Sequence, residues 1–91
     1  MRIRAAIDGN QPEIVEGLRA AGRSVVPLHQ IGGGVPDLIV GFEGVNYLIE
    51  VKVVGRRKKL TPDQEVFHQN WKGSLAVVET LTEALEATKA K

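Results

Sequence analysis

Apolar side chains recur at helical spacing between residues 10 and 21, at Ile14, Val15, Leu18 and Ala21, which predicts an amphipathic helix. Asp8 or Asn10 would cap it, Pro12 falls in its first turn, and Gly22 ends it. Val25, Val26 and Leu28 predict a short strand. Three consecutive glycines, Gly32 to Gly34, cannot hold the interior of an element, so residues 31–36 are expected to form a loop. Residues 37–42 and 46–54 alternate and cluster as strands, with Gly44 in a tight turn between them, so a hairpin is expected. Thr61, Pro62, Asp63 and Glu65 carry the signs of a helix start: an N-cap, a proline at the first position and acids in the first turn. Phe67 and Trp71, four apart, predict the buried face of that helix, and Gly73 its end. Residues 75–78 predict a fourth strand. A last helix is expected from about 81 to 90, with Leu81, Ala84, Leu85 and Thr88 on one side. The order αβββαβα, hairpin first and helix-linked strand last, predicts an α/β or α+β domain with a mixed sheet, not a doubly wound one.

One stretch breaks its own pattern. Residues 47–54 read Tyr-Leu-Ile-Glu-Val-Lys-Val-Val, apolar and β-branched enough for a buried strand. Strand side chains alternate, so Glu50 and Lys52 share one face while Ile49, Val51 and Val53 share the other. A carboxylate and an ammonium in mid-strand cost several kcal/mol unless paired or engaged with a ligand. An ion pair on a solvent-facing sheet is the plain alternative, and apolar neighbours on both faces weigh against it.

Composition narrows the field. Ninety-one residues suit a single domain, 1–91, which buries only about 60–65% of its unfolded surface and stands to gain from oligomerisation. The absence of cysteine removes disulfides, thiolate metal sites and cysteine nucleophiles. No run approaches a membrane span and no signal-peptide core is present, so a cytoplasmic protein without membrane contact is expected. Net charge is only +1, but its distribution is uneven. Arg56, Arg57, Lys58 and Lys59 form a run of four cations, Arg2, Arg4, Arg19 and Arg23 make the N-terminal third basic, and acids dominate after Glu79. Such a patch can attract a polyanion even when the whole chain is near neutral. His29 and His68 lack metal-ligand spacing, and His68 reads as a surface or packing residue.

Asp37 sits at the start of one hairpin strand and Glu50 midway along the next, which would leave them opposite one another on one face. Two carboxylates about 4 Å apart repel by roughly 4 kcal/mol at an effective dielectric near 20, a repulsion that a divalent cation reverses. Mg²⁺ accepts such a set, one or two carboxylates with the remaining positions held by water. The Val51 carbonyl would lie beside the same ion. Lys52 could orient an attacking water or stabilise the charge that develops on a phosphate.

Pro36-Asp37 followed by Glu50-Val51-Lys52 resembles the PD-(D/E)xK nuclease motif, and the element order resembles that restriction-endonuclease-like core. The likeness is closer to the virus-type replication-repair nuclease (VRR-NUC) branch, in the approach Gly33-Gly34-Val35-Pro36-Asp37-Leu38 and in Leu60-Thr61-Pro62-Asp63-Gln64. It spans residues 11–83. The resemblance implies a Mg²⁺- or Mn²⁺-dependent DNA endonuclease in which Asp37 and Glu50, with the Val51 carbonyl, hold the metal. Lys52 would assist the chemistry and Gln64 would position a water or substrate oxygen. The branch also carries an acid on its first helix; Glu13 is favoured for that place here, although the helix end aligns Gln11 close to it, and Asp8 and Glu16 are further candidates. Gly33, Gly34 and residues 56–59 are expected to lie along DNA. Stand-alone viral members resemble homodimeric resolvases of four-way DNA junctions, so a homodimer acting on branched DNA is expected. A flap- or end-processing nuclease, a restriction-like enzyme, and a DNA-binding module that does not cut are the alternatives.

Overall fold

In a computed structural model of the chain, described for residues 9–28 and 30–90, three helices and a four-stranded mixed sheet follow one another. They are α1 (Gln11–Ala20), β1 (Ser24–Pro27), β2 (Leu38–Phe42), β3 (Val45–Val51), α2 (Pro62–Asn70), β4 (Leu75–Val78) and α3 (Leu81–Ala87). Asp8, Arg2, Arg4 and His29 lie outside the described residues. The sheet order is β1-β2-β3-β4, with the first two pairings antiparallel and the last parallel. This is the expected mixed α/β architecture.

The hairpin forms where its sequence predicts, but its second strand is shorter than the expected 46–54: β3 ends at Val51, and Val53 and Val54 are exposed beyond it, where the chain turns away at Gly55. Phe42 pairs with Val45 across Glu43 and Gly44, whose φ values are 50° and 83°. Positive φ at both positions matches the twist of the flanking strands, and glycine takes it without steric cost. From that turn the register runs back to Leu38 opposite Ile49.

Alternation then sorts the sheet into two unlike faces. Val25, Leu38, Val40, Tyr47, Ile49, Val51 and Val78 build the core with Ile14, Val15 and Leu18 of α1 and Ala84 of α3. The opposite face holds Val26, Ile39, Leu48 and Leu75 in one cross-strand row, with Glu50 beyond them. α2 reaches this second face through Gln64 and buries none of its residues completely. The expected burial of Phe67 and Trp71 is therefore corrected. The two rings stack on each other, centroids 5.3 Å apart and planes 16° from parallel, and Trp71 remains 45% exposed. A nine-residue helix held by polar contacts has little apolar surface to bury.

Arg23, counted above as part of a basic region, has a structural task. Its guanidinium donates to the Leu85 carbonyl and to Thr88 at the end of α3, and lies 3.9 Å over the Phe42 ring. A cation at a helix C-terminus satisfies carbonyls that the helix itself leaves open. Arg23→Ala is expected to lower unfolding stability by about 2 kcal/mol in urea titration.

Candidate active site

The register ends with Leu38 opposite Ile49, and continued by one residue it sets Asp37 opposite Glu50. Two backbone contacts hold Asp37 there. Its carbonyl accepts from the Leu28 N–H at 2.7 Å, extending the β1–β2 pairing by one step, and its Oδ2 accepts from the Val51 N–H at 2.8 Å. Pro36 is buried beside it and fixes the approach of the loop. Glu50 is 2% exposed, a carboxylate as deep as the core valines, on the sheet face that α2 partly covers.

Gln64 links this strand to α2. Its Nε2 donates to Glu50 Oε2 at 3.0 Å, and its Oε1 accepts from Lys52 Nζ at 2.6 Å. Lys52 Nζ in turn lies 3.7 Å from Glu50 Oε2. The same Oε1 takes the Thr61 N–H at 2.9 Å, while the Gln64 N–H donates to Thr61 Oγ1 at 3.3 Å, closing a capping box. One side chain thus ends the helix and fixes both Glu50 and Lys52. Glu50 and Lys52 meet as expected, although Lys52 follows the last residue of β3 and is held there through Gln64.

The first helix enters differently from expectation. Asn10 does not cap it with its side chain; its Nδ2 donates to the carbonyls of Lys52 (3.0 Å) and Glu79 (2.7 Å), tying the start of α1 to the ends of β3 and β4. Glu13, the favoured acid, is exposed, and Glu16 is exposed as well. Glu13 lies about 200° around the helix from Gln11, on the side away from the sheet. Gln11 is the residue this end buries, at 3% exposure, and its Oε1 finds no hydrogen-bond partner among the described residues. On this helix end the buried polar side chain is a neutral amide, and the acids of α1 are exposed. The burial of Gln11 follows from the Asn10 tether at the start of α1.

The glycine loop also has a packing role. A Cβ on Gly34, whose φ is +80°, would collide with the Asp63 carbonyl, so this glycine lets the loop lie against the start of α2. Glycine is needed here for this close packing. Gly33 lines a separate cleft of about 350 Å³ with Val66, Phe67, Asn70 and Trp71. Of the four cations after β3, Arg56 and Lys59 line a cleft with Lys52, whereas Lys58 pairs with Glu83 at 2.8 Å. That hydrogen bond pushes the Lys58 ammonium up and holds the Glu83 carboxyl below the usual range.

His68 lies near this cluster. Burial, and secondarily the charge of Lys52, hold its imidazole below the ordinary value of 6.5. A depressed histidine means the unfolded chain binds the proton more readily. Stability from this group is therefore complete above pH 6.5 and declines as pH falls below it toward the folded value. In an NMR titration His68 should show a midpoint below 6.5, shifting upward in Lys52→Met yet staying depressed, because desolvation is the larger cause.

The donor set suits a hard divalent cation: two carboxylates stand at neighbouring places on adjacent strands, Asp37 against the Val51 N–H and Glu50 buried one residue earlier, and Mg²⁺ needs no more than one or two carboxylates from protein. Among the described residues no group of three or more His, Asp or Glu side chains converges, so protein carboxylates would supply only part of the shell. No helix among the described residues is long and apolar enough to cross a membrane. The chain matches no protein-family model, no curated protein and no solved structure.

Proposed function

We propose that this chain is a divalent-metal-dependent DNA endonuclease of the PD-(D/E)xK type, of its VRR-NUC branch. The observation that carries the reading is the arrangement of Asp37 opposite Glu50, with Lys52 and Gln64 hydrogen-bonded into the same cluster. Chance occurrence of the short motif does not require the second-helix glutamine to reach the strand carboxylate.

Asp37 and Glu50 would hold Mg²⁺ or Mn²⁺, which would supply charge neutralisation at the scissile phosphate and a water of lowered pKa. Asp37 is aimed by the Val51 N–H, which stops its carboxylate from rotating away. Lys52 donates to the non-bridging phosphate oxygens, where negative charge accumulates as water attacks phosphorus and the bridging P–O bond breaks. Gln64 keeps the Lys52 ammonium off the bulk solvent and beside Glu50.

We assign branched DNA as the substrate and a homodimer as the working unit, since two symmetric nicks need two sites and each chain has one. The exposed apolar residues Val26, Ile31, Val66 and Trp71 support association. The test is a panel of four-way junction, flap and linear duplex incubated with Mg²⁺, with nick positions mapped and the mass measured by sedimentation. Paired symmetric nicks on the junction by a dimer are expected. Cutting confined to flaps by a monomer would replace the resolvase with an end-processing enzyme, and binding without metal-dependent cutting would replace the enzyme with a binding module.

A further inference from the structure

The four cations after β3 look like one block of charge, but the backbone divides them. The Lys59 N–H donates to the Arg56 carbonyl at 3.2 Å, closing a four-residue turn. Its central residues, Arg57 and Lys58, have φ values of 56° and 54°. Positive φ at both centres is the backbone of a type I′ turn, which brings its first and fourth residues within about 7 Å and leaves the middle two at the tip. L-residues with side chains adopt this conformation only against a steric cost. Arg56 and Lys59 therefore stand side by side at the base, while Lys58 at the tip turns to Glu83.

The base of the turn faces a cleft of about 380 Å³. Lys52, Arg56 and Lys59 contribute its charge; Val53, Leu60 and Pro62 contribute its apolar wall. The start of α2 lies along it, adding the positive end of a helix dipole. Lys52 belongs equally to the Glu50–Gln64 cluster, so the cleft is continuous with the candidate active site. Three cations around a space of this size, with an apolar side, match one particular chemistry: a phosphate attached to a sugar and a base.

We propose that this cleft is a nucleotide subsite, in which Lys52, Arg56 and Lys59 hold a phosphate group and Val53, Leu60 and Pro62 receive the attached sugar and base. Its place beside the scissile phosphate rests on the nuclease reading; its binding chemistry does not. The four-cation run then has two functions, binding at its ends and a folded tip between them.

The test is a metal-free ¹⁵N-resolved NMR titration of the whole chain with thymidine 5′-monophosphate, thymidine and inorganic phosphate. Saturable shifts at the Lys59 and Thr61 amides are expected with the nucleotide, about tenfold weaker with either fragment alone. Arg56→Ala and Lys59→Ala should each weaken nucleotide binding about tenfold, as loss of a charge-assisted hydrogen bond does. For a single-stranded oligonucleotide each should also reduce the slope of log affinity against log salt by about 0.7. The double variant Arg57→Asn with Lys58→Gly keeps the turn, in residues that favour it, and removes both tip charges. It should bind the nucleotide as wild type does. Dinucleotides with and without a 5′-phosphate tell a terminal phosphate from an internal diester, and preference for either sustains the subsite. Absence of shifts at the cleft, or a tip variant as weak as Arg56→Ala, would overturn it. Binding here by a protein that cuts no DNA would sink the nuclease reading and leave the subsite standing.

Discussion

Alanine in place of Lys52 is expected to lower metal-dependent DNA cleavage by about 10²–10³-fold, the usual effect of removing one pre-placed donor to a developing charge. It should also lower unfolding stability by about 3 kcal/mol, because it leaves a buried carboxylate without its cation. The two effects have one origin. Lys52 is mostly buried, 3.7 Å from Glu50 Oε2, and its stem lies at the end of an apolar strand. Urea unfolding gives the second number directly, and cleavage measured well below the unfolding midpoint gives the first. An alanine variant with full cleavage would remove Lys52 from the chemistry.

Replacing both strand charges by apolar residues of similar volume, Glu50→Leu with Lys52→Met, should have the opposite effect on stability. Buried ion pairs exchanged in this way commonly leave a protein as stable as before, or more stable by about 1–4 kcal/mol. Gln64 keeps its bond from the Thr61 N–H and is exposed enough to reach water, so the capping box survives. Cleavage should vanish altogether. The pairing of a gain in stability with a total loss of activity is the signature of residues kept for a ligand. If the double variant instead unfolds several kcal/mol more easily, Glu50 and Lys52 are structural and the strand needs them to fold.

Much of this was legible in the sequence. The hairpin register, the opposition of Asp37 and Glu50, the meeting of Glu50 and Lys52, and the Thr61 cap all follow from local rules of period, turn and propensity. The misreadings have a common cause: they depend on which surface a helix meets. Phe67 and Trp71 have core spacing, but α2 lies on a sheet face too narrowly covered to bury them, so they stack on each other. Glu13 falls on the exposed side of α1, a placement that depends on Asn10 reaching the strand ends 42 and 69 residues away. The packing of Gly34 against the Asp63 carbonyl also needed the fold, since three consecutive glycines announce only a loop. The division of the basic run needed the backbone, since four adjacent cations carry no pattern of their own.

The central claim is that Glu50 is buried opposite Asp37 in order to hold a divalent cation against a phosphodiester. Its most direct test is cleavage of an end-labelled four-way junction by the wild-type chain and by Glu50→Gln, in Mg²⁺ and in EDTA. The account predicts nicks only with the wild-type protein and only with Mg²⁺, while both proteins bind the junction. Equal cleavage by Glu50→Gln, or cleavage that persists in EDTA, would contradict it.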